Sequence, residues 1–441
     1  MNIEAQIAEW RRFVGHRPAI VGEDADEMES HLRDQIDALI EVGLSPSEAF
    51  LVAVKRMGSL DDISRDFARE HSDRLWKQLV LTRTEGSPAR SRDLATMLTF
   101  ALAAAVSVRS GISLLADSRA VLNAPLLVFP FVAAYLTWTR RLSSAAITIL
   151  VAAVAGTALI LNLYRFEHGG MTMVLAVSHS AVVLWFVVGV AYAGGDWRSG
   201  RRRMDFIRFT GEWVIYMALL ALGGGVLVGL TAAIFNSVDL DPGVALGQWI
   251  VPMGAAGATV VAAWLVEAKQ SVIENMAPVL TRVFSPLTVV MLVAVLAVFA
   301  TKSGRLDANR ELLIVMALLL VLVLGLWLYA VSAHEPSAQP GAFDWILLAL
   351  LVGALTVDAI VLTTMVARIA EFGATANKVS ALGLNVVLLG NLAWSTWLCI
   401  GFLRRRRPFD AIERWQTNYL PVYAAWAAFV TLAIPPLFNF A

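Results

Sequence analysis

The sequence predicts an all-α fold, with a small cytosolic helical bundle followed by a polytopic transmembrane domain of about eleven helical spans. Three observations predict it. Hydrophobic residues make up 58% of the chain and charged residues only 16%, which is typical of polytopic membrane proteins. Apolar runs of about 20 residues recur from Leu94 onward, and each is long enough to cross ~30 Å of hydrocarbon. Residues 1–82 instead alternate charged and apolar side chains at helical spacing.

Residues 1–82 are predicted to form the cytosolic bundle, with about four short helices in a core near the lower size limit for independent stability. Gly43 is a natural helix end, and the stretch from Ser45 to Glu48 predicts a capping box with proline at the first helical position. The segment carries 16 Asp and Glu against 10 Lys and Arg. This acidic balance argues against a nucleic-acid partner. Charges interrupt the N-terminal residues before any apolar signal core, so we expect this domain in the cytoplasm.

A set of residues within 27–58 follows the pattern of a known family: an acidic residue before His-Leu, then Gly-Leu-Ser-x-x-Glu-Ala, then Ala and a closing Gly. The matching residues are Glu29, His31, Leu32, Gly43, Leu44, Ser45, Glu48, Ala49, Ala53 and Gly58. The segment resembles the permease prefix domain, which is related to the HAAS signalling domain. The resemblance implies a cytosolic accessory or signalling module attached to a membrane part. It implies no catalytic residues.

The membrane domain is predicted to cover 94–441, after a linker at 83–93. A span needs about 20 mostly apolar residues, and this criterion predicts spans at 94–115, 123–139, 143–164, 171–194, 212–235, 247–267, 284–301, 311–332, 345–367, 379–402 and 421–438. The second is short and carries Pro125 and Pro130, which favours a tilt or a kink. The segment 266–282 is too polar to cross, and predicts an interfacial helix or an irregular hairpin.

Arginine clusters predict the orientation of the spans in a cell inner membrane. With the N-terminus in the cytoplasm, the cytoplasmic connections contain Arg140 and Arg141, five arginines between 198 and 208, and Arg404 to Arg407. This distribution follows the positive-inside rule. The basic loop 301–311 falls outside, which indicates either a miscounted span near 267–310 or a local exception. An odd number of crossings then places the C-terminus on the opposite side of the membrane.

Near the C-terminal end, a second group of residues follows a family pattern: an arginine, an acidic residue, an aromatic-glycine pair, then Thr-x-Asn and a basic residue opening an apolar helix. The residues are Arg368, Glu371, Phe372, Gly373, Thr375, Asn377 and Lys378. The stretch is similar to the membrane family known as domain of unknown function 4153, with Lys378 where arginine is usual and Phe372 where tyrosine is common. That resemblance implies architecture and no activity.

Ionisable residues inside spans are the candidate functional residues, because a charge in hydrocarbon is costly and usually faces a cavity or a partner. They are Asp358, Arg109, Arg368 and Glu371. Asp358 is predicted near mid-membrane, held neutral or paired, with Arg109 as the first partner to test. Thr356, Thr363 and Thr364 share a broad helical arc with Arg368 and Glu371 that could line a polar cavity. The structural alternative is that these groups cap and lock helix ends.

Two other features have both a structural and a functional interpretation. His179, inside the fourth span, is expected to be a packed, hydrogen-bonded residue, with a proton relay as the alternative. Gly225 and Gly229 form a GxxxG pattern that predicts a close helix–helix contact, although glycine is common in membrane helices anyway. The six histidines show no metal-ligand spacing, and Cys399 has no second cysteine to pair with. We therefore predict no catalytic residue, no metal and no cofactor.

Two hypotheses on function follow. The first is a non-enzymatic membrane sensor or regulator, whose residues 1–82 couple to a cytosolic or membrane protein partner. The second is a secondary transporter or a permease for small molecules or lipids, which uses polar residues within the membrane. The partners predicted with either are the lipid bilayer and no nucleic acid, with a homo-oligomer left open.

Overall fold

A computed structural model describes residues 3–15, 22–41, 43–57, 88–167, 169–237, 240–268, 276–301, 310–334 and 339–440. Every regular element in these ranges is helical. The chain divides into two compact units, residues 1–94 and 95–441. The prediction of an all-helical chain rich in long apolar helices is confirmed.

The first unit contains α1 (Ile3–Gly15), α2 (Gly22–Glu41) and α3 (Pro46–Met57). Their apolar stripes meet in a small core in which Trp10, Leu32 and Phe50 are fully buried. Each helix has an apolar face and a charged face, so packing the apolar faces together removes them from water. The predicted fourth helix falls in residues 58–82, which lie outside the described residues.

Charged side chains tie α1 to α2 on the surface of this unit. The guanidinium of Arg33 donates two 2.8 Å hydrogen bonds to the carboxylate of Glu4 and also pairs with Glu29. Arg11 makes a 2.7 Å ion pair with the same Glu29. At the start of α3, the Glu48 carboxylate accepts hydrogen bonds from the backbone N–H and from the hydroxyl of Ser45. The Glu48 half of the predicted capping box is therefore present.

The second unit is a bundle of long helices. They are α4 (Pro88–Leu114), α5 (Asp117–Arg140), α6 (Ser144–Leu163), α7 (Met171–Tyr192), α8 (Gly200–Ser237), α9 (Gly243–Ala268), α10 (Met276–Thr301), α11 (Arg310–Ser332), α12 (Ala342–Phe372), α13 (Ala376–Leu403), α14 (Asp410–Leu432) and the short α15 (Ile434–Leu437). A π-helical turn, Leu246–Ile250, lies within α9. In the described residues, the ten helices α4 to α13 are long and apolar enough to cross a membrane.

Several helices differ from the predicted spans at their ends. Helix α5 begins at Asp117 and is not short, and both of its prolines lie inside it. Helix α8 begins at Gly200, because the arginines that follow it are good helix formers that continue the helix beyond the apolar run. Within the segment 266–282, α9 continues to Ala268 and α10 begins at Met276, and the interfacial helix or hairpin stays a prediction. Residues 269–275 lie outside the described residues.

The last predicted span, 421–438, is not among the ten apolar helices. It overlaps α14 and α15, and α14 begins with two turns that contain Asp410, Glu413 and Arg414. The uncharged stretch 415–432 is also too polar to be among the ten, because it contains Gln416, Asn418 and Pro421, although its second half is apolar.

Two large apolar cores hold the second unit together. One is built mainly by α10 to α14, around the fully buried Leu320, Leu351 and Leu392. The other is built by α4, α5, α7, α8 and α9, where Trp185 lies 4.4 Å from Trp213 between ring centroids. Helices α13 and α14 approach closely at Gly383, where a Cβ atom would overlap the ring of Trp426.

Polar contacts group the helix termini into two ends of this unit. At the first, which we name the arginine end, Arg140 pairs with Glu267 at 2.6 Å, Arg203 donates to the carbonyl of Thr417, and Arg405 donates to Gln339. At the second, which we name the tyrosine end, the hydroxyl of Tyr164 donates to the carbonyl of Leu432, and the Tyr164 and Phe440 rings are in edge contact. Each contact joins helix termini distant in sequence.

The ion pairs of the first unit predict a loss of stability in acid. Hydrogen bonds from Arg33 hold the pKa of Glu4 below its usual 4.5. Burial raises the pKa of Glu29, but hydrogen bonds from Arg33 and Arg11 outweigh this and lower it. A lowered folded-state pKa contributes stability that is complete above the unfolded value and disappears as the pH falls through the folded value.

We therefore expect residues 1–82, expressed alone, to unfold at a lower temperature near pH ~3 than near pH ~7, as followed by circular dichroism. The Arg33→Gln variant should unfold at a lower temperature than the wild type at neutral pH. Its unfolding temperature should fall by less than that of the wild type on acidification. An equal acid shift in both proteins would show that these pairs do not contribute.

Candidate functional site

Asp358 lies near the middle of α12, the 31-residue helix Ala342–Phe372. At ~1.5 Å per residue it is about 24 Å from one end of the helix and about 21 Å from the other. It belongs to the buried stripe of α12, together with Ala354, Val361 and Met365. These bounds give its position along α12, and the predicted position near mid-membrane stays a prediction.

A contact between α12 and α13 gives the depth of the residues around Asp358. The amide nitrogen of Asn385 lies 3.3 Å from the sulfur of Met365. The two helices are joined by residues 373–375 and run antiparallel. Two residues therefore lie at the same depth, measured along the helix axes, when one is seven positions before Met365 and the other is seven positions after Asn385. These residues are Asp358 and Leu392, and Asn391 is next to Leu392.

Asn391 is the centre of a buried polar network between α13 and α14. Its amide nitrogen donates to the Gln416 carbonyl oxygen at 3.0 Å and to the Tyr423 hydroxyl at 2.6 Å. The Ser395 hydroxyl donates to Asn391 Oδ1 at 2.7 Å and accepts from the Gln416 amide at 2.7 Å. Asn391, Ser395 and Gln416 are completely buried. The polar groups satisfy one another, as burial in an apolar interior requires.

Asp358 lies at the same depth but has no such partners. Its side chain is completely buried, and among the described residues neither carboxyl oxygen has a hydrogen-bond partner. The Oδ1 atom of the completely buried Asn385 is in the same situation. An isolated charged carboxylate is strongly disfavoured in such surroundings. The arrangement is chemically suited to a carboxyl group that carries a proton.

Arg109 is not the partner of Asp358. Within the described part of the chain, no ion pair joins the two residues, and Arg109 places its guanidinium over the ring of Trp249, 3.8 Å from the ring centre. The interaction is a cation–π contact between α4 and α9. The pairing with Asp358 proposed from the sequence is therefore wrong, because no sequence pattern reports which helices are neighbours.

The remaining residues of α12 lie near the end of the helix. The guanidinium of Arg368 lies 5.9 Å from the centre of the Phe372 ring, and Glu371 is exposed. The ammonium of Lys378 donates to the carbonyl of Gly373 and lies 5.7 Å from the same ring. These residues, singled out by the second family resemblance, surround the turn between α12 and α13. Their arrangement favours the structural alternative of a locked helix end.

The threonines of the predicted arc do not form a polar lining in the described structure. Thr356 donates its hydroxyl to the carbonyl four residues earlier in α12, and Thr363 and Thr364 both donate to the carbonyl of Ile360. Thr356 and Thr363 are exposed on the helix surface. Threonine hydroxyls commonly satisfy themselves in this way within apolar helices.

His179 and the glycine pair also have definite positions. The Nδ1 atom of His179 lies 2.9 Å from the carbonyl oxygen of Leu175, one turn earlier in α7, as expected for a packed helix residue. Gly225 and Gly229 lie on an exposed part of α8, where an added Cβ would meet no described atom within 4 Å. No helix of the described chain packs against this pair. A contact through it with another chain stays a prediction.

The residues of this buried polar network were not predicted from the sequence. Asn391 and Ser395 are one helical turn apart in an apolar helix, and Gln416 and Tyr423 are two turns apart in the next. These spacings put each pair on one face, and were a signal available in the sequence. The sequence contains no signal that these two faces contact each other.

No protein-family model matches this chain, and neither does any curated protein or solved structure. The two family resemblances stay predictions that rest on the residues quoted for them.

Asp358 and Asn391 should respond oppositely to replacement by leucine, although they lie at similar depth. Asp358→Leu should raise the free energy of unfolding by about 1 kcal/mol or more, because it replaces a buried polar group without partners. Asn391→Leu should lower it by about 1–3 kcal/mol, since it leaves Gln416 and Tyr423 unsatisfied.

Both effects can be followed by thermal unfolding of the purified protein in detergent. Thr356→Val, on the exposed surface of α12, is the control and should change little. Destabilisation by Asp358→Leu comparable with that by Asn391→Leu would show that Asp358 has a structural partner.

Proposed function

We propose that this protein is a proton-coupled secondary transporter or permease of the inner membrane, with Asp358 as the group that binds and releases the proton. The observation that carries the proposal is the complete burial of Asp358 without a hydrogen-bond partner among the described residues. Such a residue costs stability, and groups of this kind in membrane helices are typical of ion pathways and proton relays.

The position of Asp358 supports the same role. It lies far from both ends of α12, so a proton that reaches it from one side has crossed about half of the helix length. Its neighbours Ala354, Val361 and Met365 are apolar, which makes the charged form unfavourable until a cavity or a cation reaches it. Alternating access of this site to the two sides would couple proton movement to the movement of a solute.

A lipophilic carbodiimide tests for the proton directly, because it reacts with protonated carboxyl groups in apolar surroundings. We expect modification of Asp358 in membranes, detected by peptide mass spectrometry, and faster modification at lower pH. Asp344, in the first turn of the same helix, is the matched control: its carboxylate accepts a 2.8 Å hydrogen bond from the Gly341 N–H and should stay unmodified. Absence of modification at Asp358 over the whole pH range would contradict the proposal.

The functional counterpart uses Asp358→Asn in proteoliposomes that contain a pH-sensitive dye. The amide has the shape of the acid but cannot exchange the proton. A solute that drives a pH change with the wild-type protein should therefore drive none with Asp358→Asn, at equal protein abundance and thermal stability. Unchanged coupling in the variant would rule out Asp358 as the coupling group.

We also propose eleven crossings, with α14 and α15 as the last, and the C-terminus outside the cell. The contacts that support this are at the two ends of α14: Thr417 meets Arg203 at the arginine end, whereas Leu432 meets Tyr164 at the tyrosine end. The arginine end holds the residues that the positive-inside rule assigns to the cytoplasm.

Reporter fusions measure this topology. A fusion after Arg407 should report the cytoplasm, as a fusion at the N-terminus does, and a fusion after Phe440 should report the outside. Cytoplasmic signals from all three positions would show ten crossings, and α14 would then lie at the membrane surface without crossing it.

The second candidate function is a sensor or regulator that acts through residues 1–82. The observation that favours it is that these residues contain a separate small core and lie in their own compact unit. Deletion of residues 1–82 should then abolish a regulatory output while proton-coupled uptake by the membrane unit persists.

A further inference from the structure

A charged cavity of about 310 Å³ lies at the arginine end of the membrane unit. It is formed where α5 and α7 end and α8 begins, far along the sequence from Asp358. Its polar lining consists of Arg140, Tyr192, Arg202, Asp205, Arg208 and Glu212. A cavity of this size is large enough for a small ligand.

Helix α8 supplies a stripe of alternating charge to this cavity. Arg202, Asp205, Arg208 and Glu212 follow one another at spacings of three, three and four residues, which places them on one face of the helix. Successive residues are therefore about 4.5 to 6 Å apart along the helix axis. The stripe begins at the exposed Arg202 and ends at the buried Glu212.

Other contacts hold two of the arginines in place. Arg140 makes the 2.6 Å ion pair with Glu267, and its guanidinium lies 4.5 Å from the centre of the Tyr192 ring. Arg208 donates to the carbonyl of Ser332 at the end of α11. These contacts fix the walls of the cavity before any ligand arrives.

Arg202 and Asp205 differ from these residues, since within the described parts of the chain neither side chain makes a hydrogen bond or an ion pair. They offer a cation and an anion about one helical turn apart in the lining of the cavity. A guanidinium suits phosphate, with its planar set of donors. A carboxylate suits an ammonium group. A ligand that binds both needs a phosphate and an amine separated by a short spacer.

We propose that this cavity binds a phosphoethanolamine group, with the phosphate on Arg202 and the ammonium on Asp205. Two carbon atoms separate phosphate and amine in this group, which suits the spacing of one helical turn. The cavity lies at the arginine end, which the positive-inside rule places beside the cytoplasmic membrane surface, so the source is either the headgroup of a membrane lipid or the free compound. The site is independent of the proposed role of Asp358.

The test compares ligands on the purified full-length protein in detergent, with the rise in unfolding temperature as the measure of binding. The probes are dioleoylphosphatidylethanolamine, dioleoylphosphatidylglycerol, which lacks the amine, and dioleoylphosphatidylcholine, whose amine cannot donate hydrogen bonds. We expect phosphatidylethanolamine to bind about tenfold more tightly than the other two, as the loss of one charge-assisted hydrogen bond predicts. Protection by free O-phosphoethanolamine would identify the free compound as a ligand, and protection by the lipid alone would identify the headgroup.

Three variants separate this site from unspecific lipid binding. Asp205→Asn should abolish the preference for phosphatidylethanolamine and should strengthen binding of phosphatidylglycerol, since it removes a negative charge beside the phosphate. Arg202→Gln should weaken the binding of both phosphatidylethanolamine and phosphatidylglycerol by about tenfold. Arg201→Gln removes the same charge from the exposed neighbouring position outside the cavity and should leave binding unchanged.

Because Arg202 and Asp205 have no partners to lose, their variants are expected to unfold at the wild-type temperature without ligand. Equal protection by the three lipids in the wild type would overturn the proposal. A preference that survives Asp205→Asn would overturn it as well.

Discussion

The absence of water inside a bilayer is the constraint on which the rest of this structure depends. A backbone N–H or carbonyl group in hydrocarbon must find its partner within the protein, and a helix satisfies these groups within one segment. Every regular element of the described chain is accordingly helical, and ten of the helices are long and apolar enough to cross a membrane. The same constraint governs the side chains, because each polar group placed between helices needs a partner on another helix or on its own.

Many polar side chains of the membrane unit meet this requirement in one of three ways. The threonines donate to carbonyl groups of their own helices, as Thr356 and Thr396 do. Asn391 and its neighbours satisfy one another across two helices. The arginines lie mainly at the arginine end, where they reach carboxylates, backbone carbonyls or aromatic rings, as Arg407 does over Trp397. Asp358 follows none of these, since no described residue bonds to its oxygens, and Oδ1 of Asn385 is also without a partner. Asp358 is the ionisable residue of the two, and for that reason it is the residue to which we assign function.

Much of the fold could be predicted from the sequence, because span length and helical periodicity are local properties. The first ten predicted spans each overlap one long apolar helix, and Asp358 lies in mid-helix as its distance from Asp344 indicates. The helix ends were less predictable, since α8 and α10 continue into polar sequence where hydropathy suggested a boundary. The partners of the candidate residues were not predictable at all. Arg109 contacts Trp249 and not Asp358, and the network around Asn391 depends on how α13 meets α14.

The sequence by itself therefore determined the class of the protein and the segments that form helices. It also determined which polar and ionisable residues lie within apolar helices, where burial is energetically unfavourable. Each of these follows from the hydropathy and charge of neighbouring residues along one chain segment. Only the tertiary structure decided which of these polar residues have hydrogen-bond or ion-pair partners and which do not. The partnerships of Asn391 with Gln416, of Arg140 with Glu267 and of Arg33 with Glu4 depend on the packing of different helices. The physical reason is that the satisfaction of a polar group depends on atoms within about 3 Å in space, and the order of residues does not specify these distances.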